Sequence, residues 1–337
     1  MTTYIQPIPQ STAYEDTLRL GGSSWLFVET ALVRSRDAEA EEVLLEDLTP
    51  DQRNRLSTHR ATICGLTLDV PRIMGILNVT PDSFSDGGDL STVAAAVKRA
   101  QDMAPYADIL DIGGESTRPG AVDVSVAEEI DRTAPVIRAI RDAGIMTPIS
   151  IDTRKAKVAA AALAAGADMV NDVSALRFDP DLAGVAADAD CPVCLMHSQG
   201  LPSDMQDNPR YADVMFDVFD HLADRIDFAH AAGIKHDRII TDPGIGFGKT
   251  LQHNVNLLRN LAIYHDLGLP ILLGASRKRF IGTISGEDDA ASRLGGSIAV
   301  ALHGAAQGAQ ILRVHDVKET KQALSLQMAL NGAGNYG

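Results

Sequence analysis

Several short apolar runs of this chain end in residues that can bind or carry charge. The ends hold Asn78, the region from Asp111 to Arg118, Asp152, Asn171 with Asp172, His197, Asp242, the stretch Ser276 to Lys278, and Arg313 with His315. They fall into two chemical groups. Asp152, Asn171, Asp242 and Lys278 supply two carboxylates, an amide and an ammonium, which suits a flat ligand edge rich in N–H donors, such as a 2-amino-pyrimidinone. Charge-assisted hydrogen bonds of that kind contribute about 1.5–3 kcal/mol each. Arg118, Arg277, Arg313 and His315 form a cationic group in an otherwise acidic chain, which points to phosphate or diphosphate. Asn78 could offer its amide oxygen to Mg²⁺, an ion that keeps most of its waters and leans on substrate phosphates.

Each of these residues also has a plainer role. An Asp or Asn after a strand often caps the next helix, Lys278 could pair internally with one of the acids, Arg279 could sit in a solvated turn, and Asn78 could cap one. Capping alone does not explain why every run ends this way, so the pattern marks the rim of a site.

The runs that carry these residues are "IMGILNV" (73–79), "DILDIGG" (108–114), "PISIDT" (148–153), "MVNDVS" (169–174), "PVCLMH" (192–197), "IITDPG" (239–244), "PILLGAS" (270–276) and "ILRVHD" (311–316). Helix-like stretches such as "STVAAAVKRAQDMA" and "TRKAKVAAAALAAGA" separate them. Near-continuous apolar strands alternating with helices predict a parallel sheet buried on both faces. Eight units in about 260 residues fit a closed (β/α)₈ TIM barrel, whose chemistry gathers at the C-terminal strand ends. An open doubly wound sheet is the alternative, weakened because the first unit lacks a G-x-G-x-x-G turn. Two long Gly-, Ser- and Asp-rich loops, 79–90 and 114–125, have the composition of lids that exclude water.

Residues 1–70 read differently. They contain the single tryptophan, Trp25, a strand in "SSWLFVETALV" and an acidic stretch, "AEAEEVLLEDLTPDQRNRL", that reads as helical. No chemistry is evident there, and the segment is expected to be an accessory extension packed on the barrel body (71–337) or covering its floor.

Of the 337 residues, 45% are hydrophobic and 22% charged, as in a soluble globular protein, and the net charge is −15. Such a balance argues against nucleic-acid binding. Three cysteines are too few for a disulfide framework. Cys191 and Cys194 form a C-x-x-C, but on a buried strand they would face opposite sides, so the pair reads as structural. No signal peptide and no membrane-spanning run is evident, and a cytoplasmic location is expected.

The motifs "MGILNVTPDSFSDGG", "DIGGESTRPGA", "DPGIGFGK", "GASRK" and "RVHDVKET" together resemble those of the dihydropteroate synthases, in order over residues 71–330. The resemblance implies a pterin-binding (β/α)₈ barrel that condenses 6-hydroxymethyl-7,8-dihydropterin diphosphate with p-aminobenzoate, with Mg²⁺ as cofactor and a homodimer as the assembly. It would place Asp152, Asn171, Met196, Asp242, Gly274 and Lys278 on the pterin. Asn78 would hold Mg²⁺, and Arg118, Arg313 and His315 would meet the diphosphate. Phe84, Thr117, Pro119, Phe247, Ser276 and Arg277 would shape the p-aminobenzoate pocket. Asp152, Lys278, Arg118 and Thr117 would carry the catalysis.

Two departures stand out: Ser198 where a second methionine is expected, and Arg154 where a small residue is common. Without an insertion in "DPGIGFGK", sulfonamide sensitivity is expected. A methyltetrahydrofolate:corrinoid methyltransferase would need neither "STRPG" nor the arginine–histidine pair. A catalytically silent paralogue would be expected to have lost Arg118, Lys278 or that pair.

Overall fold

The computed structural model describes residues 2–14, 17–79, 89–116, 123–200, 205 and 207–332, with backbone alone at 89–92. An N-terminal region holds strands β1 (Tyr4–Gln10), β2 (Leu18–Arg19), β3 (Phe27–Arg34) and β4 (Glu41–Leu44), then helix α1 (Pro50–Ser57). Strand and helix alternate from there on: β5 (Arg72–Asn78), α2 (Asp89–Met103), β6 (Ile109–Gly113), α3 (Val126–Asp142), β7 (Ile149–Asp152), α4 (Ala156–Ala165), β8 (Met169–Asp172) and α5 (Leu182–Asp188). The second half continues with β9 (Val193–Met196), α6 (Val214–Ala231), β10 (Ile239–Asp242), α7 (Leu251–Arg259), β11 (Leu272–Gly274), α8 (Arg279–Ser285), α9 (Leu294–Ala306), β12 (Ile311–Val314) and α10 (Val317–Leu330). Every apolar run read as a barrel strand from the sequence is one.

The eight strands β5–β12 form one sheet in the order β10-β9-β8-β7-β6-β5-β12-β11. A parallel bridge between Thr241 and Ile271 joins its two ends, with the Thr241 amide donating to the Pro270 carbonyl at 2.9 Å. That bridge closes the barrel and excludes the open sheet. Met74, Ile109, Met169, Cys194, Ile240, Leu272 and Ile311 pack together as one buried layer inside the barrel. Each such buried side chain contributes about 1.5–3 kcal/mol of hydrophobic stabilisation. Ile63 and Leu68 join the same layer, and an Ile63–Leu66 bridge holds their turn, so this segment plugs the floor.

The rest of the N-terminal region packs on the outside. The Tyr4 hydroxyl donates to Asp220 at 2.9 Å, the Ile5 amide to Asp266 at 2.9 Å, and Arg36 to Asp217 and Asp220 at 2.7 and 2.8 Å. Both expected placements, flank and floor, are therefore realised by different parts of the segment. The acidic stretch expected to be helical is not one helix. Glu41–Leu44 pairs antiparallel with β3, Leu45–Asp47 forms a single 3₁₀ turn, and the α-helix starts only at Pro50. Thr49 and Gln52 form a reciprocal cap there. Strand pairing has overridden the helix propensity of the Glu- and Leu-rich stretch, as tertiary contacts often do.

Of the C-x-x-C pair, Cys194 lies in β9 and faces the barrel interior. Cys191 precedes the strand, buried beside Pro192. Both thiols are free and burial pushes both upward, which suits a structural role. Among the described residues no helix is long and apolar enough to cross a membrane.

Candidate active site at the barrel mouth

Parallel register aligns Asn78 with Gly113, Gly113 with Asp152, and Asp152 with Asn171. On the opposite wall Asp242 aligns with Met196, and Gly274 with Arg313. The glycines mark how closely these groups converge. A Cβ on Gly113 would lie 3.5 Å from Asn78 Oδ1 and 3.8 Å from Asp152 Oδ2. One on Gly274 would lie 3.7 Å from both Asp242 Oδ2 and Arg313 Cδ.

Arg313 is the electrostatic hub. Its Nε donates to Asp111 Oδ2 at 2.6 Å and its Nη2 to Asp152 Oδ2 at 2.6 Å. The Asn171 amide donates toward both Asp111 oxygens at 3.4 and 3.5 Å. Burial pushes the Asp152 carboxyl up, Arg313 pulls it back, and the neighbouring Asp111 adds to the rise. Asp242 is likewise raised by burial and eased by Lys278, and its Oδ1 accepts from the Gly244 amide at 2.7 Å. Burial lowers the Lys278 ammonium to about 8, against the pull of Asp242. Lys278 donates to the Ile245 carbonyl and lies over the Phe247 ring, 4.5 Å from its centroid.

Arg313, which the resemblance places at the diphosphate, has its guanidinium engaged by Asp111 and Asp152 at the barrel mouth. Internal hydrogen-bonded pairing with the acids, the plainer role open to Lys278, is made by Arg313, while Lys278 is held near Asp242 through charge. Asp111 belongs to the constellation although the sequence reading left it as an unassigned strand end. The signal was there: it is the one acid flanked by apolar residues in "ILDIG". Lys249 was missed as well. Its buried ammonium, lowered well below the usual range by burial, donates to Phe247 O at 3.0 Å and lies 2.9 Å from His197 Nδ1. It thereby joins the turns after β9 and β10. Gly244 sits between them at φ +69°, and a Cβ there would meet His197 O at 1.8 Å, so only glycine fits.

At the outer rim the Ser276 hydroxyl contacts His315 Nδ1 at 3.0 Å. Arg277 has a left-handed backbone, φ +60°, held by Ser297 on its amide (2.9 Å) and Arg293 on its carbonyl (2.9 Å). Such strain costs of order 1–3 kcal/mol and tends to mark functional positions. The Arg277 side chain pairs with Asp316, Nε to Oδ2 at 3.0 Å. Met196 is buried at the end of β9. Phe84, Thr117, Arg118 and Pro119 lie outside the described residues. No group of three or more His, Cys, Asp or Glu that could hold a metal ion occurs among the described residues. A single amide oxygen, from Asn78, fits only an ion delivered largely on substrate phosphates.

The family model for pterin-binding enzymes matches residues 74–315. A dihydropteroate synthase of Neisseria meningitidis serogroup C is 51% identical over 267 residues, covering 78% of this chain and 94% of its own length. One from Escherichia coli K12 is 47% identical over 263 residues, covering 77% and 92%. A Xanthomonas albilineans dihydropteroate synthase solved with 4-aminobenzoic acid superposes with a TM-score of 0.76 at 48% identity, covering 82% of this chain and 99% of its own. A second structure from that organism, in complex with 7,8-dihydropteroate, gives 0.72 at 46%, covering 80% and 97%.

Proposed function

The chain belongs to the dihydropteroate synthase family of pterin-binding enzymes, and we propose that its barrel-mouth residues divide the condensation of dihydropterin diphosphate with p-aminobenzoate among them as follows. Asp111, Asp152 and Asp242 accept hydrogen bonds from the donor-rich pterin edge, while Asn171 and Lys278 donate to its ring oxygen and nitrogen. The convergence of these groups around Arg313 is the observation that carries the assignment. Phe247, with Lys278 over its ring, bounds the place where the aromatic amine would lie.

The amine lone pair forms the new N–C bond to the pterin methylene as the C–O bond breaks. That bond's electrons leave with the diphosphate, and the surplus amine proton passes to diphosphate or solvent. The ionised Asp152 stabilises positive charge developing on the pterin side, and no protein nucleophile is needed. Rate enhancement then rests on positioning and preorganised charge. Mg²⁺ carried by the diphosphate would take Asn78 as its protein ligand and offset the leaving-group charge. Arg118, Arg313 and His315 would meet the diphosphate, and Arg277 with Ser276 the carboxylate of p-aminobenzoate.

Diphosphate release from dihydropterin diphosphate, followed with and without p-aminobenzoate and Mg²⁺, tests this reading. Release that needs the amine and yields dihydropteroate supports it; pterin binding without product favours a silent paralogue. A structure of the Yersinia pestis synthase holds a sulfonamide drug, and sulfonamides should compete with p-aminobenzoate here. A homodimer and a cytoplasmic location are part of the same proposal, and a monomer by light scattering would remove the former.

A further inference from the structure

The turn after β10 is held in two halves by different groups. Its first half is tied to residues of the site itself: the Asp242 carboxylate accepts from the Gly244 amide at 2.7 Å, and Lys278 donates to the Ile245 carbonyl. Its second half carries Phe247, whose amide donates back to the Gly244 carbonyl at 3.1 Å. Phe247 stands between two left-handed glycines, Gly246 (φ +85°) and Gly248 (φ +62°). A Cβ on Gly246 would lie 3.1 Å from Lys278 Cδ, and one on Gly248 2.4 Å from Gln199 O. Glycine permits this path but adds no stiffness to it. The direction of the Phe247 ring therefore depends on what grips the backbone around it.

Three side chains supply that grip. Lys249 Nζ donates to Phe247 O at 3.0 Å and to His197 O at 3.4 Å, and lies 2.9 Å from His197 Nδ1. The Tyr211 hydroxyl donates to Gly248 O at 2.7 Å. Asn254, at the start of α7, accepts from the Gly246 amide at 2.6 Å. Carbonyls 247 and 248 are thus held in succession, by Lys249 and Tyr211, directly beside the aromatic ring.

Lys249 is the costly member. It is 3% exposed, and among the described residues no carboxylate hydrogen-bonds to it; Asp242 acts on it through charge alone. Burying an ammonium without a bonded counter-charge is expensive, and methionine fills irregular buried space without that penalty. What the ammonium adds over methionine is direction: it fastens the Phe247 carbonyl to the end of β9, the strand that carries Met196.

We propose that Lys249 and Tyr211 are positioning residues for the amine substrate: by holding carbonyls 247 and 248 they set how the Phe247 ring meets p-aminobenzoate. Pterin binding stays with Asp242 and Lys278, which keep their own ties in the first half of the turn. The proposal rests on the reading above that places Phe247 beside the amine.

The test uses wild type, Lys249→Met, Tyr211→Phe, Phe247→Leu and the double variant Lys249→Met/Phe247→Leu. For each, kcat, KM for p-aminobenzoate, the dissociation constant of dihydropterin diphosphate without amine, and the thermal midpoint are measured. A misplacement of about 1 Å can cost up to about 100-fold, so we expect KM for p-aminobenzoate to rise about tenfold in Lys249→Met and about threefold in Tyr211→Phe. The pterin dissociation constant should stay within about twofold in both. Because Lys249 acts through Phe247, the double variant should have a KM for p-aminobenzoate within about twofold of that of Phe247→Leu alone. A lowered thermal midpoint with unchanged KM would make the role merely structural and overturn the proposal, as would equal losses for both substrates or effects that multiply in the double variant. If Lys249→Met does not fold, Tyr211→Phe, which loses a single hydroxyl, decides: an unchanged KM for p-aminobenzoate overturns the proposal. Failure of the wild type to form dihydropteroate would instead overturn the functional reading beneath it.

Discussion

Replacing Arg313 by methionine removes the only cation hydrogen-bonded to both Asp111 and Asp152 among the described residues. Asp111 is fully buried and Asp152 is 8% exposed. Breaking a buried ion pair from one side costs about 3–5 kcal/mol, because the remaining charge has no compensation. Here two carboxylates would be left facing each other, and Asp152, already raised by burial, would rise further and take up a proton.

The sign follows from linkage. A carboxyl whose folded pKa lies above its unfolded value contributes stability below the unfolded pKa, and loses it as pH rises through the folded pKa. The stability gap between wild type and Arg313→Met should therefore widen with pH, from about 1–2 kcal/mol near pH 5 to about 3–5 kcal/mol near pH 8. Urea unfolding at both pH values measures it, by circular dichroism and by fluorescence of Trp25, the single tryptophan, buried in the N-terminal region. A gap of equal size at the two pH values would show that Arg313 does not hold Asp152 ionised, and the electrostatic account of the pocket would fail.

Three other outcomes follow from the site. Asp152→Asn keeps the shape but not the charge, so kcat should fall at least about 100-fold, as when a preorganised charge is removed from a site; near-normal turnover would take Asp152 out of the mechanism. Affinity for the pterin should weaken as pH rises through about 8, where Lys278 loses its proton; a dissociation constant flat across that range would deny Lys278 its role as a charged donor. Gly244→Ala places a Cβ 1.8 Å from the His197 carbonyl on a left-handed backbone. Its unfolding midpoint in urea should drop by the equivalent of about 2 kcal/mol or more, with loss of pterin binding; wild-type stability would mean the two turns can move apart freely.

The barrel was legible because a strand buried on both faces must be almost wholly apolar, so its polar C-terminal residue stands out against the run before it. That contrast located Asn78, Asp152, Asn171, Asp242 and Lys278 without any knowledge of packing. It failed at Glu41–Leu44, where two glutamates lie in an edge strand of a small exterior sheet. Half-exposed strands carry no such contrast, and the local helix preference of Glu and Leu misleads.

Partnership was not legible either. Three cations, Lys278, Arg277 and Arg313, lie near the mouth in sequence register with several acids, and spacing alone cannot say which pairs with which. In the folded chain Arg277 goes to Asp316, Lys278 to the Ile245 carbonyl, and Arg313 to Asp111 and Asp152. This distribution bears on how the pocket meets its ligand. Because Arg313 already satisfies one side of each acid, an incoming N–H edge does not have to neutralise two bare buried charges. It needs only to occupy the remaining lone pairs, and in doing so it adds hydrogen bonds to carboxylates that stay compensated throughout. The same residues with Lys278 as the shared cation would leave Arg313 open to solvent and the acids dependent on a group that loses its charge near pH 8. The arginine, which keeps its charge at any pH the protein meets, is the cation better suited to hold two carboxylates ready for a neutral, donor-rich heterocycle.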